Sequence, residues 1–290
     1  MSWFQVRTDL ALEAKESIDG KEDEIRGIKI EEDYDKDSDV HITKVIIETK
    51  NGARAMGKPM GTYVTLEAPG MIEPEEDYHQ EISDIMAGEI RKLLSEPDQE
   101  KSILVVGLGN REVTADSLGP NVVDNLFINR HIVMEYGKLA YNCSKMHMVS
   151  SLVPGVMAKT GMESAEIIKG VIEQTHPDQV IVIDALAARS TKRLNRTIQI
   201  TNTGIHPGSG VGNHRNALTK ESLGVPVLAI GVPTVVDAAT IVGDAVGEYP
   251  KALSELNNMY VTSKDVDLQI QQISHILCDA LNKALDLSIA

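Results

Sequence analysis

Two aspartates, Asp116 and Asp184, are the side chains best placed by their surroundings for acid–base chemistry. Ile103-Leu104-Val105-Val106 leads through Gly107-Leu108-Gly109-Asn110 to the loop Ala115-Asp116-Ser117-Leu118-Gly119-Pro120. Val180-Ile181-Val182-Ile183 leads directly into Asp184. Short apolar runs of this kind are buried on both faces of a parallel sheet, and ligands collect at the carboxyl ends of such strands. Two carboxyls brought there from separate strands repel each other when ionised, which separates their pKa values. One then takes a proton while the other gives one, as hydrolysis requires.

Each acid also has a plainer reading. Asp is a favoured N-cap, and Asp116 precedes a helix expected over Gly119 to Phe127, with Pro120 tolerated in its first turn. Asp184 terminates an apolar run, where an acid is costly unless it is hydrogen-bonded or used. Asp237 is a weak third acid, most simply a first-turn helix residue. The Gly107-Leu108-Gly109 turn has Glu112 where a dinucleotide fingerprint needs its third glycine, so no cofactor is expected. Gly107, Gly109 and Asn110 are read instead as a supporting loop whose backbone amides are candidate oxyanion donors. His206 and His214 lie in a glycine-rich loop. They are weak metal candidates, since two acids and one imidazole can hold zinc with an open position; a loop covering substrate is the alternative. Cys143 near His147 lacks a third group to orient it, so a buried thiol is the simpler reading.

The elements that must position these residues alternate. Strands are expected at His41–Thr49 and Gly61–Ala68, with Asn51-Gly52 as a hairpin or turn signal. Further strands are expected at 103–106, 179–183, 197–200 and 227–230, and helices at 75–94, 119–127, 164–174, 235–246 and 266–285. This order predicts an α/β fold: a mostly parallel sheet flanked by helices on both faces. A β-hairpin subdomain is added at about residues 40–70. Residues 1 to 39 are acid-rich and read as a mobile segment.

Composition narrows the function. The formal net charge of −15 argues against direct nucleic-acid binding. Two cysteines are too few for a disulfide framework or zinc cluster. The N-terminus lacks the apolar run of a signal peptide, and no stretch is long and apolar enough to span a bilayer. A cytoplasmic protein without membrane contact is expected.

Several segments, in order and over essentially the whole chain, resemble the germination protease family of spore-forming bacteria. They are Val6–Ala11, Lys58–Pro69, the glycine-asparagine turn, the aspartate loop ending at Pro120, Val182–Arg189, Gly204–Arg215 and Gly231–Thr234. The aspartate loop is also similar to that of hydrogenase-maturation proteases. The resemblance implies an endopeptidase that initiates degradation of small acid-soluble spore proteins during germination. It further implies a homotetramer in the spore core, made as a zymogen, with Asp116 and Asp184 as the catalytic pair. Family substrates are cut in contexts such as Thr-Glu-Phe-Ala-Ser-Glu, and Thr8-Asp9-Leu10-Ala11-Leu12-Glu13 is similar. Self-cleavage at Asp9-Leu10 is therefore expected, dividing the chain into a propeptide, 1–9, and a single protease domain, 10–290. The rival readings are a metal-dependent maturation protease of the same fold and a non-catalytic binding protein.

Overall fold

The computed structural model describes residues 8–16, 27–96, 99–138, 146–208, 215–246, 256 and 259–287. The chain opens with α1 (Ala11–Glu16), β1 (Ile28–Asp35), β2 (Val40–Ile47), α2 (Lys50–Met56), β3 (Gly61–Glu67) and α3 (Glu76–Leu93). It continues with β4 (Ser102–Gly107), α4 (Leu118–Asn125), α5 (Arg130–Tyr136), β5 (Met148–Leu152), α6 (Met157–Thr160) and α7 (Ser164–Thr175). Then come β6 (Gln179–Ala188), β7 (Thr197–Thr201), α8 (Lys220–Leu223), β8 (Val227–Asp237), α9 (Ala238–Val246), β9 (Tyr260–Val261) and α10 (Val266–Ala284).

All strands join one sheet in the order β1-β2-β3-β7-β8-β6-β4-β5, with β9 on the end of β8. Among the described residues, parallel pairing is confined to β5, β4, β6 and β8. β1, β2, β3, β7 and β9 are added antiparallel. The α/β class holds, but the sheet is mixed rather than mostly parallel.

On one face Ile103, Val105, Ile181, Ile183, Ile200 and Ile230 pack beneath α3, α4 and α10. On the other, Leu104, Val106, Val180 and Val182 meet Ala165, Ile168 and Ile172 of α7. Farther along that face, Val45, Ile47 and Tyr63 meet Ala11 of α1. Each fully buried aliphatic side chain stabilises the fold by about 1.5–3 kcal/mol, so a core nearly without aromatics suffices.

Three local expectations change. Asn51-Gly52 lies inside α2 rather than in a turn. Thr49 Oγ1 accepts the Gly52 N–H at 3.1 Å, and Gly57 at φ 61° ends the helix. Capping at both ends outweighs the Asn-Gly turn preference. Within the acidic N-terminus, α1 and β1 are formed, while residues 1–7 and 17–26 lie outside the described part. β1 is an edge strand with exposed, charged side chains, a composition that blunts sheet edges and reads as unstructured. Finally, β6 and β8 outrun their apolar stretches. Asp184 is therefore interior to β6, and α9 starts only after Asp237, whose Oδ1 accepts the Thr240 N–H at 2.9 Å.

Candidate active site

β4 ends at Gly107, paired with Ile183, while β6 runs on. Asp184 is thus the first β6 residue flanked by the loop after β4 instead of by a strand. That loop folds tightly against its neighbours. The Leu108 N–H donates to the Ile183 carbonyl at 2.8 Å, and the Asn110 N–H to the Asp116 carbonyl at 2.9 Å. Thr234 Oγ1 donates to the Ala115 carbonyl at 2.6 Å, tying the loop to β8. Gly109 has φ +119°, and a Cβ there would lie 1.9 Å from the Asp116 carbonyl oxygen. A Cβ on Gly119 would lie 2.7 Å from the Ile183 carbonyl oxygen. The glycines let backbone pack on backbone, which carries Asp116 to the side of Asp184.

Two readings from sequence are revised here. The Leu108 and Asn110 amides are already spent on protein carbonyls, so neither is free to receive an oxyanion. Ser117 rather than Asp116 occupies the N-cap position of α4. Helix capping therefore does not account for Asp116.

The two acids differ in environment. Asp184 is 6% exposed. Burial lifts its pKa well above the carboxylate range, and the charges of Asp116 and Asp9 push the same way. Its Oδ1 accepts the Ala185 N–H at 3.0 Å, and Arg215 opposes the rise. Asp116 is half-buried. Burial raises its pKa too, while the Arg215 charge and the Asn110 N–H pull it back down. Such groups titrate as a pair, and burial pushes harder on Asp184 than on Asp116.

A stability consequence follows from the sign of that shift. Asp184 is more basic folded than unfolded, so it favours the fold at acid pH and this contribution is lost as pH rises through its folded pKa. Asn at position 184 keeps an Oδ1 for the Ala185 N–H and never ionises. Asp184→Asn is expected to be more stable than the native chain above neutral pH, by on the order of 1 kcal/mol or more. The gap should close toward acid pH. Urea midpoints measured across pH test this; a constant or reversed difference contradicts it.

The segment before and through the start of α1 lies on the same face. The Asp9 N–H donates to the Ala187 carbonyl at 3.1 Å, and the Ala187 N–H to Asp9 Oδ2 at 3.0 Å. Leu10 is fully buried against Leu186, Ala188 and Val236. Glu13 is 3% exposed. Its carboxylate accepts the Thr8 hydroxyl, the Arg189 N–H at 2.8 Å and the Ser190 N–H at 3.0 Å, and it pairs with Arg193 at 3.3 Å. Asp9, Leu10 and Glu13 each have a built seat, and Asp9 lies within electrostatic reach of Asp184.

His206 lines the adjoining cleft with Asp9, Lys58 and Gln199. Among the described residues no three metal-binding side chains cluster, and His214 and Cys143 lie outside them. Asp237 serves as the cap of α9. Sequence reasoning missed Glu13, Lys58, Arg193, Gln199 and Arg215 as site residues. The available signal was polarity in apolar company, clearest for Gln199 between Ile198 and Ile200.

Comparison with known proteins identifies a peptidase. The family profile for germination protease matches residues 6–255. A germination protease of Caldanaerobacter subterraneus subsp. tengcongensis is 44% identical, covering 97% of this chain and 94% of that protein. One from Clostridium perfringens is 39% identical over 97% and 95% respectively. One from Bacillus velezensis is 48% identical over 84% of this chain and 66% of its own length. The chain belongs to the germination protease family. Among solved structures, a NiFe hydrogenase maturation protease from Thermococcus kodakarensis KOD1 aligns over 67% of this chain and 99% of its own. That alignment has a TM-score of 0.35 and 16% identity. No helix among the described residues is long and apolar enough to cross a membrane.

Proposed function

We propose that this chain is an endopeptidase that begins the breakdown of small acid-soluble spore proteins during germination, using Asp116 and Asp184 as its acid–base pair. It acts in the spore core as a homotetramer and is made as a zymogen that cuts itself between Asp9 and Leu10. The observation that carries this reading is the seating of Thr8–Glu13 along β6, beside a buried carboxyl whose pKa is raised partly by Asp9 itself. Asp116, the more readily ionised acid, takes a proton from water as it attacks the peptide carbonyl. Asp184, which holds its proton, delivers it to the leaving nitrogen. The same segment fills the site until it is cut, which holds the zymogen inactive. Family membership supports the substrate class, since Thr-Glu-Phe-Ala-Ser-Glu places an acid, a large apolar residue and a final Glu where Asp9, Leu10 and Glu13 sit.

The test is incubation of that hexapeptide with chain from which residues 1–9 have been released. Thr-Glu and Phe-Ala-Ser-Glu are the expected products by mass, and a chelator should leave their yield unchanged. An intact peptide favours a binding protein, and chelator-sensitive cleavage favours a metal-dependent maturation protease; either overturns the reading.

A further inference from the structure

Gln199, Gly231 and Asp184 form one row across three neighbouring strands, since Gln199 pairs with Gly231 and Gly231 with Asp184. Paired residues project to the same face of a sheet. Gln199 and Asp184 thus stand two strand spacings apart, about 10 Å between Cα atoms, with the Leu186 side chain laid over Gly231 between them. A Cβ on Gly231 would meet Leu186 Cδ1 at 2.5 Å. Asp9 borders the adjoining cleft together with Gln199 and Gly231.

The carbonyl oxygen of Asp9 belongs to the Asp9–Leu10 bond. It accepts Lys58 Nζ at 2.7 Å and Gln199 Nε2 at 3.2 Å. Gln199 Oε1 meanwhile accepts the Ala11 N–H at 2.6 Å, which fixes which end of the amide faces the Asp9 carbonyl. Anchoring the segment does not need two donors on one carbonyl. The Asp9 side chain and N–H, the Leu10 side chain and the Glu13 carboxylate already have partners. Burial pushes the Lys58 ammonium pKa down, so its charge acts in a poorly solvated place, where it is felt most strongly.

We propose that Lys58 and Gln199 polarise the carbonyl of the bond to be cut and hold its oxygen as it becomes an alkoxide. They would do this first for Asp9–Leu10 and then for the equivalent bond of a protein substrate. The inference rests on the two-aspartate reading above. Water adds to the Asp9 carbonyl carbon and yields a proton to Asp116. The C=O π electrons move to oxygen, against Lys58 and Gln199. Collapse restores the carbonyl, the C–N bond breaks, and the Leu10 nitrogen takes the Asp184 proton. The new Asp9 carboxylic acid returns a proton to Asp184, and the Leu10 amine takes the one held by Asp116.

The experiment uses the full chain and follows self-cleavage by mass, comparing native, Lys58→Met, Lys58→Arg, Gln199→Glu and Asp184→Asn. Gln199→Glu keeps an acceptor for the Ala11 N–H, removes the N–H donor to the Asp9 carbonyl and sets a carboxylate where the alkoxide forms. Lys58→Met is expected to lower the first-order rate about a hundredfold, with Lys58→Arg recovering part of it. Gln199→Glu should also slow cleavage, while hydrogen exchange at the Ala11 amide stays at the native level, which a purely anchoring role would not give. Cleavage by Lys58→Met and Gln199→Glu at or above the native rate, with Asp184→Asn inactive, overturns the carbonyl role and leaves the aspartates standing. Native-rate cleavage by Asp184→Asn removes the two-aspartate reading, and this inference with it.

Discussion

Replacing either aspartate by asparagine, Asp116→Asn or Asp184→Asn, is expected to slow self-cleavage at Asp9–Leu10 by about a thousandfold. The reason is geometric as well as electrostatic. Both side chains lie where β4 stops and β6 continues, and the Gly107–Asn110 turn folds back on the aspartate loop through the bond from the Asn110 N–H to the Asp116 carbonyl. Asn keeps the volume and most hydrogen bonds at both positions but neither accepts nor gives the proton. Because the two groups act on one reaction as a unit, the double variant should be little slower than either single one. Rates read by intact mass check this. Multiplicative losses in the double variant would mean that the two acids work independently.

Glu13→Ala carries the second large effect, on the docking of the segment rather than on the chemistry. The Glu13 carboxylate takes two backbone N–H groups and faces Arg193. Arg193 also bonds Glu67 at 3.0 Å and Glu16 at 2.6 Å. Removing Glu13 leaves the Arg189 and Ser190 amides without their acceptor. Hydrogen bonds to a charged group are worth about 1.5–3 kcal/mol each, so residues 8–16 should open more often by about 3 kcal/mol or more. The expected result is a large rise in hydrogen exchange at Ala11 and its neighbours and self-cleavage slowed by at least tenfold. Native exchange and a native rate would show that this carboxylate does not seat the segment.

How much of this was legible in the chain depends on how local the signal is. Asp116 and Asp184 stood out because a carboxylate beside an apolar run is conspicuous and costly. That same cost misled the reading of strand length. A charge looks like a boundary, yet β6 carries Asp184 in its interior because its neighbour β4 has already ended. The glycines at 107 and 109 signalled a tight turn, but only the fold shows which backbone they and Gly119 admit. β1 was hidden by its acidic, exposed edge composition. α1 was hidden in the same way, although Leu10, Ala11 and Leu12 are buried. Gln199 shows in the sequence only as a polar residue between two isoleucines, and the meeting of Lys58 and Gln199 on the Asp9 carbonyl was out of reach for a different reason. Their partner is a carbonyl far away along the chain, and a row formed by three strands cannot be read from spacing within one of them.

The most direct measurement sets native and Asp184→Asn full-length chains side by side at mildly acidic pH and determines the new N-terminus of each by mass. The native chain should lose residues 1–9 and begin at Leu10, while the Asp184→Asn chain should remain whole. A cut at another bond in the native chain, or a Leu10 terminus appearing equally fast in both, would contradict the pairing of these two acids across the Asp9–Leu10 bond.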